Sequence, residues 1–337
     1  MITYRINKEK VKQIFNFVVI IFTATIVLAF AIFTQGLEEL INNIKSLNHW
    51  WILIAISFMF ICWGIEAIIF HKIALLFHSK QKLKVSIRAT MIGQFFNAVT
   101  PFASGGQPAQ LYYMIKSSID GGASTSILTI KFILFQSIYI LYSIVIVIFK
   151  FSFFKEYLSN LLYVSMIGFI VNISLISFII IVATNKKVAK FILIIFLRVL
   201  QSIRIIKSTE KVREKVDKEL NSFHENIIII CNNLNIMIKT ALLTMLQLIT
   251  YSSITYLIYR SFNLEGSSLW NIVSAQTFLT MITSIIPLPG ASGGSEGGFY
   301  LFFKMFFTNS NIVSAMILWR MITYYLTIIV GSFFTAK

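Results

Sequence analysis

Long apolar runs with few charges recur along the 337-residue chain, at 14–33, 50–70, 124–149, 161–182, 239–259 and 312–334. Each approaches the roughly 20 residues that an α-helix needs to cross the hydrocarbon core. The pattern predicts six membrane-spanning helices. Two further apolar segments, 89–116 and 268–307, are interrupted by proline and glycine. All four prolines (Pro101, Pro108, Pro287 and Pro289) fall in those interruptions. Each interruption contains Ala-Ser-Gly-Gly, at 103–106 and at 291–294, two residues after Pro101 and Pro289. Broken helices at bilayer depth are tolerated only where the freed backbone is buried in protein or lines a wet cavity. Paired breaks in the two halves of a membrane protein point to a transport site.

Composition agrees. Hydrophobic residues make up 57% of the chain and charged residues 12%, against about 25% charged in soluble domains. The class is an all-α integral membrane protein. The net charge of +16 invites a nucleic-acid reading, but the cations are unevenly placed. Four lie at 5–12, five at 72–88 and ten at 186–218, and the intervening loops are poor in them. That is the positive-inside pattern, with both termini cytoplasmic in a cell-membrane protein. No nucleic-acid partner is expected. The basic start before the apolar run imitates a secretory signal, with Ala29-Phe30-Ala31 as a faint cleavage site. The run is longer than a usual signal core, so a retained first helix is expected.

Charge bias also threads the broken segments. If 89–116 spanned the membrane, the basic stretch 184–226 would fall outside; as a re-entrant hairpin it keeps that stretch inside. The same logic makes 268–307 a hairpin entering from the other face. The expected fold is therefore six spans and two re-entrant hairpins in an inverted repeat. Its halves are 1–183 and 227–337, joined by a basic cytoplasmic linker at 184–226. Within the linker, 187–206 reads as an amphipathic interfacial helix. The mixed charges of 207–225, including Glu210, Glu214 and Lys218 at i,i+4 spacing, read as a solvated helix. Lys131 follows Gly106 by 25 residues and Arg320 follows Gly294 by 26, as equivalent positions of two halves would.

Five ionisable side chains lie inside apolar segments: Glu66, Lys131, Lys239, Glu296 and Arg320. Such residues usually face the protein interior and mark function. Lys239 and Glu66 lie near helix ends, where long side chains snorkel. The deeper Lys131 and Arg320, with half-helix N-termini at the breaks, suit an anionic group such as a lipid phosphate. The candidate binding set is Asn97, Pro101, Ser104, Gly105, Gly106, Gln107, Lys131, Pro289, Ser292, Gly293, Gly294, Glu296 and Arg320. Ser295, Thr100 and Gln110 add polar atoms beside it. Glu296 is expected to balance one cation and leave the other for the ligand. Cys62 and Cys231 read as small hydrophobic side chains. The four histidines are scattered, so no metal, cofactor or catalytic group is expected.

The stretches Phe96-Asn97-Ala98-Val99-Thr100-Pro101-Phe102-Ala103-Ser104-Gly105-Gly106-Gln107-Pro108, Pro287–Gly298 and Trp319-Arg320 with Tyr324-Tyr325 carry a resemblance. They resemble the lysylphosphatidylglycerol synthase transmembrane family, the flippase-like membrane region of the multiple peptide resistance factor. The resemblance implies movement of aminoacylated phospholipid across the bilayer and resistance to cationic antimicrobial peptides. Two-part members also transfer lysine from tRNA to phosphatidylglycerol through a separate cytosolic domain. This chain ends at Lys337, just after its last helix, and has Gln110 and Leu111 where many members carry an arginine. Lipid translocation is thus expected ahead of lysyl transfer, with a separate synthase as a candidate partner.

Overall fold

A computed structural model describes Thr25 and residues 37–79, 81–202 and 209–335. The expected first span, 14–33, lies outside the described residues apart from Thr25. All regular structure among the described residues is helical.

A short helix, α1 (Leu37–Lys45), precedes α2 (His49–Ala74), whose first turn is capped by the Asn48 side chain accepting from the Trp50 amide. The first hairpin comprises α3 (Leu83–Val99), a 3₁₀ turn (Pro101–Ala103) and α4 (Gly106–Lys116). Asp120 then caps the long α5 (Gly121–Thr184). Leu158, at φ −141° and ψ 38°, divides α5 into arms Gly121–Leu158 and Asn160–Thr184. Two helices follow, α6 (Lys186–Ser202) and α7 (Thr209–Asn232). Next come α8 (Leu234–Ser261), capped by Asn233, and α9 (Leu269–Thr283), capped by Ser268. A second 3₁₀ turn (Pro289–Ala291) leads into α10 (Gly294–Phe303) and then α11 (Ile312–Thr335). Five described helices are long and apolar enough to cross a membrane: α2, both arms of α5, α8 and α11. The protein is therefore a multi-pass α-helical membrane protein.

Helices from the other half of the chain pack on each hairpin. α11 packs on α3, where a Cβ on Gly331 would crowd Phe95 and the Met91 carbonyl. The second arm of α5 packs on α9, with Gly168 directly against the Met281 carbonyl. α2 runs alongside α8. Phe299, Phe302 and Phe303 of α10 are fully buried, and Phe299 stacks on Trp319 at 5.1 Å between ring centroids. Such aromatic pairs add to the area they bury.

The linker departs from the expected pattern. α7 runs through position 226 and ends at Asn232, so the helix crosses the expected boundary of the second half. It is not solvated along its whole length. Phe223, Ile227 and Ile230 form a stripe at i, i+4 and i+7 that packs with Ile119, Ala123 and Ile127 at the start of α5. The Ser126 hydroxyl donates to the Phe223 carbonyl at 3.3 Å.

Candidate functional site

The two breaks meet in the folded chain. They share a backbone path over four residues, each with a proline that presets φ at the first turn position followed by two left-handed residues. Thr100 and Leu288 are extended at φ −120°. After the prolines, Phe102 (φ 53°) matches Gly290 (φ 59°), and Ala103 (φ 52°) matches Ala291 (φ 51°). The paths then part. Gly105 has φ −82°, whereas Gly293 has φ 83°, a left-handed conformation suited to glycine.

Capping explains the divergence. In the first break, side chains that precede the new helix hold it: Thr100 Oγ1 accepts from the Gly105 amide at 2.8 Å and Asn97 Oδ1 from the Gly106 amide at 3.1 Å. A Cβ on Gly106 would strike Asn97 and the Gly93 carbonyl, so glycine permits the hairpin arms to close. In the second break the cap comes from the following side, with Glu296 Oε2 accepting from the Gly293 amide at 2.7 Å. These amides were expected to receive a ligand anion. The protein's own side chains occupy them instead.

Arg320 is committed in the same way. Its Nε donates to Glu296 Oε1 at 2.6 Å, and Nη2 donates to the Gly290 carbonyl at 3.0 Å and to Ser295 Oγ. Its guanidinium lies 4.8 Å from the Tyr324 ring centroid, a cation–π distance. The Arg320 and Glu296 side chains are 5% and 11% exposed. Immediately after Arg320, α11 widens into a π turn at Met321–Tyr325, a feature frequent at functional sites. Ser292 donates to the Pro289 carbonyl at 2.8 Å, and Ser295 to the Ala291 carbonyl at 2.9 Å. The second break is a closed, internally satisfied unit.

Lys131 does not join it. Its ammonium lies 2.6 Å from Glu66 Oε1 on α2, with side-chain exposures of 16% and 12%. Gln94 donates to Glu66 Oε2. Glu296 therefore does not leave an unpaired cation, because each cation has its own carboxylate. Glu66, expected to snorkel, instead meets Lys131 and Gln94 inside the bundle.

This second pair borders a cavity of about 560 Å³ between α2, both hairpins, α5, α8 and α11. From the candidate set, Asn97, Gln107 and Lys131 line it; Pro101, Ser104, Gly105, Gly106 and the second-break residues Pro289 through Glu296 do not, nor does Arg320. Phe102, Ala103 and Gln110 from the first hairpin line it, as do Thr323 and Tyr324 from the π turn. Sequence reasoning missed the remaining polar lining, including Trp63, Gln136, Tyr139, Tyr142 and Asn172. Gln136 donates to Asn172 Oδ1 at 2.9 Å, and Asn172 donates to Ser284 Oγ at 2.8 Å, bridging α5 to the second hairpin. A signal existed. On α5, Lys131, Phe135, Tyr139 and Tyr142 recur at i, i+4, i+8 and i+11, one helix face.

The fold is an apolar helical bundle with a largely apolar cavity, bordered by one ion pair, beside two broken hairpins. The chain belongs to the lysylphosphatidylglycerol synthase transmembrane family. The family model described as "Lysylphosphatidylglycerol synthase TM region" matches residues 14–331. A search of curated proteins finds no match. Membership gives the protein a membrane lipid-related function.

Proposed function

We propose that the chain is a lipid translocator of the cell membrane that moves an anionic or aminoacylated phospholipid, such as lysylphosphatidylglycerol, between leaflets. The observation that carries this reading is the cavity, where a part-buried Lys131–Glu66 pair and several amide and hydroxyl side chains interrupt a largely apolar lining. Its volume suits a polar headgroup, since ligand pockets run from about 300 to 1,000 Å³. Lys131 supplies a charge for phosphate, and Asn97 and Gln107 supply hydrogen bonds. Arg320 and Glu296 hold the second break in shape against the cavity's Tyr324 side. In this reading they position the site and do not touch lipid. Lysyl transfer is disfavoured: the cavity's one carboxylate is already tied to Lys131.

Vesicles containing the purified protein and acyl-labelled lysylphosphatidylglycerol test this by leaflet-resolved quenching. Lipid should cross faster than in protein-free vesicles, and Lys131→Ala should slow it by about tenfold, one lost charged contact. Equal rates with and without protein would sink the proposal. Formation of lysyl-lipid from added lysyl-tRNA and phosphatidylglycerol would favour the transferase instead.

The same reading takes the halves as an inverted repeat. Support comes from the matched backbone of the two breaks, the common order of helix, broken hairpin and long helix, and the cation bias. Single cysteines at 71–88, 116–123 and 184–226 should then all react from the cytoplasmic side. Labelling of 184–226 from outside would exclude it.

A further inference from the structure

Among the described side chains that line the cavity, two carry charge, Glu66 and Lys131. They stand 2.6 Å apart, so their charges balance within the cavity. The α2 helix that carries Glu66 packs against α3, α5, α8 and the π turn. From α3, Gln94 donates to the second Glu66 oxygen. The other titratable groups lining the cavity are a thiol, Cys62 one turn earlier on α2, and four phenols. The phenols belong to Tyr139 and Tyr142 on α5, Tyr251 on α8 and Tyr324 on the π turn. Arg320, at the start of that turn, is tied to Glu296. Lys131 is thus the counter-charge on which Glu66 depends.

A lipid phosphate that takes the Lys131 ammonium must draw it off Glu66. The carboxylate then keeps Gln94 but loses its counter-charge. A carboxylate stranded in a desolvated site neutralises by taking up a proton. Resting on the translocation reading above, we propose that Glu66 compensates the charge of the cargo and makes the protein a proton–lipid cotransporter for anionic phospholipids. Entry of a phosphate at Lys131 brings a proton from water onto a Glu66 oxygen, and the lipid and that proton cross together. The charges balance: an ammonium–carboxylate pair becomes an ammonium–phosphate pair and a neutral carboxylic acid. An aminoacylated headgroup carries its own ammonium, which meets Glu66 in place of the proton. The same site thereby accepts both classes of cargo.

Short-chain phosphatidylglycerol and short-chain lysylphosphatidylglycerol are titrated separately into the purified full-length protein in detergent, in weak buffer with a pH indicator. Binding of phosphatidylglycerol should take up about one proton, and its affinity should fall about tenfold for each unit of pH rise. Lysylphosphatidylglycerol should bind with no uptake. Glu66→Gln should bind phosphatidylglycerol without uptake and with a flat pH profile. The proton count of the parent needs no variant, so it decides the matter even where Glu66→Gln fails to fold. Leaflet crossing is read separately, in vesicles, by quenching of acyl-labelled lipid. There, acidifying the side from which phosphatidylglycerol starts should speed its crossing in the parent and not in Glu66→Gln. Phosphatidylglycerol that does not bind, that binds without uptake, or that takes up no more protons than the lysyl lipid would overturn the role of Glu66. Uptake on binding without crossing would leave that role standing and remove translocation. Crossing with no uptake on binding would do the reverse.

Discussion

Arg320→Ala is expected to destabilise the protein by about 3–5 kcal/mol, the usual cost of removing one partner from a buried ion pair. The guanidinium hydrogen-bonds Glu296, the Gly290 carbonyl and Ser295 and so ties all three to α11. Without it, Glu296 keeps the Gly293 amide and the adjacent Ser295 hydroxyl as partners but loses its counter-charge. Arg320→Lys should fall between the parent and Arg320→Ala, since a single ammonium restores charge but not the planar fork that reaches three acceptors. Adding Glu296→Gln to Arg320→Ala should recover part of the loss, because it removes the stranded carboxylate. Thermal unfolding in detergent reads all four proteins. If the double variant melts no higher than Arg320→Ala, charge stranding is not the cause. Lipid crossing should fall with Arg320→Ala because the π turn carrying Thr323 and Tyr324 borders the cavity.

The breaks were legible because proline and glycine act locally: Pro101 and Pro289 start the turns wherever the rest of the chain goes. Glu296 was legible as the partner of one deep cation, and it pairs with Arg320; the pairing of Lys131 with Glu66 was not legible. Lys131 and Glu66 are 65 residues apart, and nothing in either neighbourhood says that α2 and α5 place them 2.6 Å apart. The repeat pattern suggested that Lys131 and Arg320 would act alike. The structure separates them through a local difference: the second break has Glu296 at the third position of its new helix, where a carboxylate reaches back to the cap amide. The first break has Pro108 two residues after Gly106, where Gly294 is followed by Glu296. Lys131 therefore has no carboxylate from its own break, and the α2 glutamate takes that place. The cavity's aromatic lining escaped notice because in an apolar helix a tyrosine facing a cavity reads like a tyrosine facing lipid. Only the spacing of several such residues on one face distinguishes them.

Gly290→Val should be more damaging than any substitution at the equivalent position of the first break. Two costs coincide at Gly290. Its φ of 59° is left-handed, which costs an L-residue roughly 1–2 kcal/mol and is a true outlier for a β-branched one. A Cβ there would also run into the Tyr324 ring, which Arg320 stacks against. At the matching Phe102 the first cost is present at φ 53°, but the side chain is 61% exposed and escapes the second. Phe102→Gly should accordingly be neutral or raise the unfolding midpoint, by about 1 kcal/mol of relieved strain. Gly293→Ala provides the intermediate case, with φ 83° but open space around the added Cβ. The expected order of unfolding midpoints is Phe102→Gly highest, then Gly293→Ala, then Gly290→Val. Combining Gly290→Ala with Tyr324→Ala removes the collision and leaves the strain, so it should exceed Gly290→Ala alone. If the pair melts no higher than Gly290→Ala, the ring does not constrain the second break, and the close fit of Tyr324 over Gly290 is incidental.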